Sequence, residues 1–312
     1  MCIRDRGMHR ASLDIESLED EPNVARPHHV DLLNNESTLL PYMGWDNIAP
    51  AGCLNASAAD LCLWIRLQLD MGNWQGEQLI SRENVWATRE LHTSQPPDLA
   101  SSSFWPSKHF AGYGLGWEMY DYHGSKVIGH EGGTDGMLTR IFLVPEENLG
   151  IVMLSNSLSA ITIGLEYYIL DQYFEGESYD WCGIYHRSAM SYLEHKQSEW
   201  KRYLKEADRS IKPSLRLKDY EGMYSCEMYG KVEIRRERGE LLLDFLPSDR
   251  MEGRLQAFSG DTFLIELNDF PALPQGRVWF DIGSGRTIRG LEIDIPNPDF
   301  DFGELKLKPQ GE

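Results

Sequence analysis

Seven consecutive residues, His130-Glu131-Gly132-Gly133-Thr134-Asp135-Gly136, bring an imidazole, two carboxylates and three glycines onto one short stretch of chain. An unperturbed imidazole titrates near ~6.5, so it can hold a substrate carboxylate or steady a proton network close to neutrality. Glycines remove side chains from a strand edge. A substrate backbone can then lie against that edge, and a backbone N–H, here that of Gly133, can face a developing oxyanion. His130 is therefore the candidate catalytic residue, and Gly132 and Gly133 are the candidate substrate- and oxyanion-binding residues. By themselves the same residues read as a plain hairpin turn. The run also opens like the zinc signature H-E-x-x-H, but its fifth position is Thr134 and its glycines would break the helix that such a site needs. No metal or organic cofactor is implied. Asn156, at the end of a later strand, reads as a strand terminator, and His28 and His29 read as loop residues.

The elements around this run follow from hydrophobic period and turn chemistry. Four runs rich in β-formers, 113–120, 126–130, 138–144 and 150–155, are separated by Tyr122-His123-Gly124, by 132–136 and by Pro145-Glu146-Glu147-Asn148. They predict an antiparallel meander. A helix is expected over 159–174, with Ile161, Leu165, Tyr168, Ile169 and Tyr173 turned to the sheet. Ahead of the meander, Ser57-Ala58-Ala59-Asp60 is a helix start in which hydroxyl and carboxylate satisfy free N–H groups of the first turn. Leu61, Trp64, Ile65 and Leu69 repeat at helical spacing behind it, and Gly72 supplies the stop. A second helix is expected over 81–91, whereas 7–40 reads as loop with short turns. Helices before and after a meander predict a mixed α/β layer structure. A helix over 188–207 closes at Pro213, and about seven regularly spaced strands between 220 and 295 then predict a small barrel or sandwich.

The chain of 312 residues carries 49 acidic and 30 basic side chains, a net charge of −19, which would repel a polyphosphate backbone or an anionic membrane face. Nucleic acid is excluded as a partner on this ground. Apolar runs such as 149–154 and 161–170 stop well short of the roughly 20 residues a membrane helix requires. Five cysteines, with no C-x-x-C pair, indicate neither a disulfide framework nor a zinc knuckle and read mainly as buried thiols. The opening Met1-Cys2-Ile3-Arg4-Asp5-Arg6 has charge without an apolar stretch behind it and reads as an artefactual leader.

Three segments in order, Tyr113-Gly114-Leu115-Gly116-Trp117-Glu118-Met119, His130 to Gly136, and Val144-Pro145-Glu146-Glu147-Asn148 running on through Leu149-Gly150-Ile151-Val152-Met153-Leu154-Ser155-Asn156, resemble the closing third of class C β-lactamases and penicillin-binding-protein-like serine hydrolases. Asn23-Val24-Ala25-Arg26-Pro27-His28 and 49–57 are similar to stretches upstream of it in the same hydrolases. The resemblance covers about 7–174 and implies an α/β (α+β) partial β-lactamase/transpeptidase-like domain with antiparallel sheet and flanking helices. The small all-β, barrel-like part behind it resembles the accessory domain often appended to them. The corresponding division is 1–6 leader, 7–176 hydrolase portion, 177–212 helical connector and 213–312 β-domain.

That family gathers S-x-x-K, Tyr-x-Asn or Ser-x-Asn, and Lys-Thr-Gly around its substrate. Here the third reads His130-Glu131-Gly132, a substitution common in the esterase and D-Ala peptidase branch, which implies an acyl-enzyme hydrolase with little penicillinase activity. The implied partner is a small-molecule or peptide acyl substrate, and family habit implies a periplasmic or extracellular place. Ser198-Glu199-Trp200-Lys201 has the S-x-x-K spacing but follows the His130 strand instead of preceding it, and reads as a solvated helix face. No Tyr-x-Asn occurs in the sequence. The expectation is a fragment, inactive alone, with the nucleophile-bearing part upstream; the alternative is a noncatalytic peptide- or glycan-binding homologue.

Overall fold

A computed structural model describes residues 7–19, 21–105, 107–175, 179–248, 251–270, 273–297 and 300–310. The expected leader 1–6 lies outside them. The chain forms two compact units, Met1–His195 and Lys196–Glu312.

In the first unit the chain runs through a hairpin of β1 (His28–Asp31) and β2 (Glu36–Leu39), a short helix α1 (Ala49–Gly52) and helix α2 (Ala58–Leu69). A small hairpin of β3 (Asn73–Trp74) and β4 (Glu77–Gln78) follows, then α3 (Arg82–Thr88), β5 (Thr93–Ser94) and α4 (Leu99–Phe104). The main sheet comes next with β6 (Ala111–Tyr113), β7 (Glu118–Tyr122), β8 (Ser125–Thr134), β9 (Met137–Val144) and β10 (Leu149–Ser155), before α5 (Ile161–Tyr173) and α6 (Trp181–Glu206), of which the part up to His195 belongs to this unit. The six strands lie in the order β10-β9-β8-β7-β6-β5, each pairing antiparallel with its neighbour.

The α2 start folds as the sequence dictates, with Asp60 N–H donating to Ser57 Oγ at 3.2 Å and Ser57 N–H donating to the Asp60 carboxylate at 3.1 Å. Such reciprocal caps satisfy two otherwise orphaned donors. Strand alternation then sorts the sheet's side chains to two faces. Ile128 and Leu143 pack with Ile65 of α2, Trp117 and Met119 on one face. On the other, Val127, Phe142 and Val144 pack with Tyr167 and Leu170 of α5 and Trp181 of α6. Gly150 is what lets α2 approach, because a Cβ there would stand 2.2 Å from Ile65 Cγ2.

The structure differs from the sequence expectation at several points, among them the face of α5, where Ile161, Tyr168 and Tyr173 are exposed and Tyr167 and Leu170 pack on the sheet instead. The run 113–120 is two strands, split by a turn over Gly114-Leu115-Gly116-Trp117 in which Gly114 N–H donates to Trp117 O at 2.8 Å. Strand β8 runs on through 131 and absorbs 132–134 of the expected turn 132–136, because Gly132 and Gly133 find regular partners in Thr139 and Leu138 of β9. His28 and His29, read as loop, lie in β1. Helix α6 also begins at Trp181, seven residues before the expected 188, where Asp180 caps it by accepting Gly183 N–H at 3.0 Å.

The second unit holds β11 (Gly222–Cys226), β12 (Gly230–Glu237), β13 (Glu240–Asp244), β14 (Glu252–Ser259), β15 (Thr262–Leu267), β16 (Gly276–Ile282), β17 (Ile288–Asp294) and β18 (Lys308–Pro309). All pair antiparallel in the order β17-β16-β15-β14-β13-β12-β11-β18. A bridge between Leu291 and Leu307 brings the last strand's neighbourhood back to β17, so the sheet is a nearly closed barrel. Alternate residues such as Val232 and Ile234, Leu241 and Leu243, and Phe263 and Ile265 fill its interior. Of the four cysteines among the described residues, all free thiols, Cys53 alone is buried, fewer than expected. No helix among the described residues is long and apolar enough to cross a membrane.

Candidate active site

His130, Glu131, Gly132 and Gly133 occupy consecutive exposed positions in β8. Pairing with β7 ends at Gly129, opposite Glu118, while pairing with β9 continues from His130 opposite Ile141 to Thr134 opposite Met137. Among the described residues, therefore, no strand covers one edge of β8 over 130–134. An uncovered edge presents backbone donors and acceptors that can pair with an extended segment of another molecule. Alternation places His130 and Gly132 on the face of Ile128, and Glu131 and Gly133 on that of Val127.

The fold does not itself require the two glycines. Neither has a positive φ. A Cβ on Gly132 would meet nothing within 4 Å, and one on Gly133 would make only ordinary contacts, 3.6 Å to Leu158 Cδ2 and 3.7 Å to Leu138 Cδ1. Gly136 contrasts with them: it has φ +73°, and a Cβ there would strike His28 N at 2.6 Å, so the hairpin tip needs glycine while the wall above it merely has room.

Tyr113, at the end of β6, reaches past the start of β7 to His130, with its hydroxyl 2.9 Å from Nε2 and the two rings edge-on at 6.1 Å. Tyr113 is a site residue that no motif in the sequence singles out. Its signal was positional, since it precedes a Gly-x-Gly turn two strands away from the histidine. Two arrangements satisfy the bond: the phenol donates to Nε2 and leaves the proton on Nδ1, or Nε2–H donates to the phenol oxygen. Either orients the ring.

Below the strand lies a buried charge network. Arg140 of β9 stands directly opposite Glu131, and its Nη1 donates to Glu131 Oε2 at 2.7 Å. Its Nε donates to Glu166 of α5, a carboxylate with no solvent exposure that also accepts the Tyr120 hydroxyl. Burial on its own would lower the Arg140 pKa, but the adjacent Glu166 outweighs it and the guanidinium is held charged above its ordinary value. Burial and the Glu166 charge together push the Tyr120 hydroxyl upward, so it stays neutral and donates. Lys108 lies 4.3 Å over the Tyr120 ring, its pKa lowered by burial. A second buried carboxylate, Asp171, accepts the Tyr122 hydroxyl at 2.6 Å and the Trp181 indole N–H, tying β7 and α6 to α5.

Asn156 is a structural residue here. Its Nδ2 donates to Arg26 O at 3.1 Å and contacts His28 Nδ1 at 3.2 Å, while His28 N–H donates to Gly136 O at 3.2 Å. The end of β10, β1 and the β8–β9 tip are thereby laced together. Ser198 and Lys201 lie in the second unit on an exposed stretch of α6, where Lys201 Nζ donates to Gln197 Oε1 at 2.8 Å. No group of three or more His, Cys, Asp or Glu able to hold a metal ion occurs among the described residues.

Residues 3–174 match the family described as Beta-lactamase, and 206–309 match the Domain of unknown function DUF3471. Among curated relatives, the Unguisins hydrolase ungD of Aspergillus violaceofuscus is 28% identical over 138 residues, 39% of this chain and 23% of that protein. The Unguisins hydrolase ungD' of Aspergillus campestris is 25% identical over 103 residues, 31% of this chain and 18% of that protein. The chain thus spans less than a quarter of the length of either. Among solved structures, the octameric penicillin-binding protein homologue from Pyrococcus abyssi is similar at 17% identity with TM-score 0.47, over 98% of this chain and 57% of that one. A class C β-lactamase is similar at 16% identity with TM-score 0.36, over 61% of this chain and 48% of that one.

Proposed function

This chain belongs to the β-lactamase family, whose match covers more than half of it, and from that premise we propose that it forms one wall of a serine hydrolase site that cleaves an ester or amide through an acyl-enzyme. The observation that carries this reading is the uncovered edge of β8, where His130 is exposed beside two glycines that neither backbone conformation nor packing demands. An acyl substrate would lie along that edge. A serine oxygen bonds to the carbonyl carbon as the carbonyl electrons move to oxygen, and the N–H of Gly133 faces the charge that develops there. Collapse breaks the bond to the amine or alkoxide, which leaves with a proton, and water then releases the acid and restores the serine. His130, oriented by Tyr113, holds a substrate carboxylate or steadies this proton movement.

The serine and lysine of S-x-x-K and the family's Tyr-x-Asn enter this scheme from chain outside the 312 residues. The sequence carries the S-x-x-K spacing once, at Ser198 and Lys201, and Tyr-x-Asn nowhere. Given the histidine in place of the family's lysine, esters and D-Ala amides are the preferred substrates over penicillins. These 312 residues should leave ester, D-Ala-D-Ala and β-lactam reporters uncleaved. The same chain expressed with its upstream coding region should cleave the first two faster than the third. Binding of peptide or glycan without turnover by the longer chain would instead establish the noncatalytic alternative.

A further inference from the structure

Over 130–134, β8 has one strand neighbour in place of two, and two of its five residues are glycines, which carry the largest backbone entropy of any residue. Such a stretch does not hold a fixed plane through strand pairing alone. Glu131 lies between His130 and Gly132 with its side chain on the other face of the strand from theirs, where Arg140, its register partner, donates to its carboxylate at 2.7 Å. Arg140 is itself buried and committed. It is 8% exposed, its Nε is committed to the fully buried Glu166, and Tyr120 donates to the same carboxylate. One guanidinium therefore spans two carboxylates, one buried on α5 and one on the strand paired along a single edge, which its planar fork allows and a lysine ammonium would not reproduce.

We propose that Arg140 is a positioning residue of the site: anchored on Glu166, it grips Glu131 and so sets the orientation of the His130–Gly133 wall. Its bearing on catalysis rests on the function proposed above; its effect on the strand does not. Any turn of the Glu131 peptide planes displaces His130 on one side and Gly132 on the other. The grip is a half-exposed ion pair, so its loss loosens the wall by a modest factor and leaves the fold in place.

The test is amide hydrogen exchange of the 312-residue chain carrying Glu131→Gln, a near-isosteric change that leaves the Arg140–Glu166 pair untouched. Amides of 130–134 that pair with β9 should exchange about three- to ten-fold faster, those of 126–129 should keep their rates, and the melting temperature should hold. Arg140→Lys, which keeps the charge and loses the fork, should loosen the same five residues. In the longer, active chain Glu131→Gln should lower kcat/KM by a similar factor, mainly through kcat. Unchanged exchange at 130–134 would overturn the proposal, as would faster exchange spread evenly along β8 and β9. If the longer chain cleaved no ester or amide reporter, the hydrolase reading would fail while the exchange result stood.

Discussion

Replacement of Glu166 by alanine is expected to cost about 3–5 kcal/mol of stability, the range for stranding one partner of a buried ion pair. The carboxylate is fully buried and satisfies two donors from different strands, the Arg140 guanidinium and the Tyr120 hydroxyl. Alanine leaves the guanidinium charged with its main counter-charge gone, and leaves the phenol with a hydrogen bond unmade. Glu131 does not compensate, because its carboxylate is half exposed and a pair with one partner in solvent contributes little. The urea midpoint of the single variant should drop at unchanged slope. The double variant Glu166→Leu, Arg140→Met should recover most of the loss, since a buried pair replaced by apolar groups of similar volume is often neutral or better. A drop below about 1 kcal/mol for Glu166→Ala would show that water reaches the pair and that it anchors nothing.

His130→Ala is expected to depress kcat/KM of the longer chain by about 10²-fold at wild-type stability, if the imidazole acts in proton transfer. The side chain is exposed and its hydrogen bond in the structure is to Tyr113, so little folding energy depends on it. Tyr113→Phe removes the hydroxyl that orients the ring and should give a smaller loss, on the order of several-fold. The order of the two effects matters, because a larger loss at Tyr113 than at His130 would make the phenol the acting group. Wild-type kinetics in a folded His130→Ala protein would reduce the residue to an ordinary strand histidine.

What was legible in the sequence was what local chemistry decides. The Ser57–Asp60 cap lies within four residues and folds as its types dictate. The β-rich runs of both units were visible through composition and alternation, and the separate barrel-like part followed from their regular spacing. Glycine misled where two of its roles compete: Gly132 and Gly133 looked like turn residues, yet β9 offers them regular partners and β8 runs through them. Barrel closure by Leu291 and Leu307 was invisible because β18 is only two residues long and contains Pro309. The candidate site was half legible. His130 and its glycines stand in one row, but Tyr113, Arg140 and Glu166 lie 17, 9 and 26 residues from their partners, distances that only tertiary folding closes.

If, as proposed, these residues supply the receiving wall of a serine acyl-transfer site, the attacking serine lies elsewhere in the polypeptide. Mass spectrometry after exposure to a fluorophosphonate or a penicillin tests it most directly, because a covalent adduct reports the nucleophile whatever the turnover rate. The 312-residue chain should gain no stoichiometric adduct, and the longer chain should gain one, on a serine outside these 312 residues. A stoichiometric adduct on any serine within them, Ser198 included, would place the nucleophile inside this chain and overturn the assignment of these residues as the receiving wall alone.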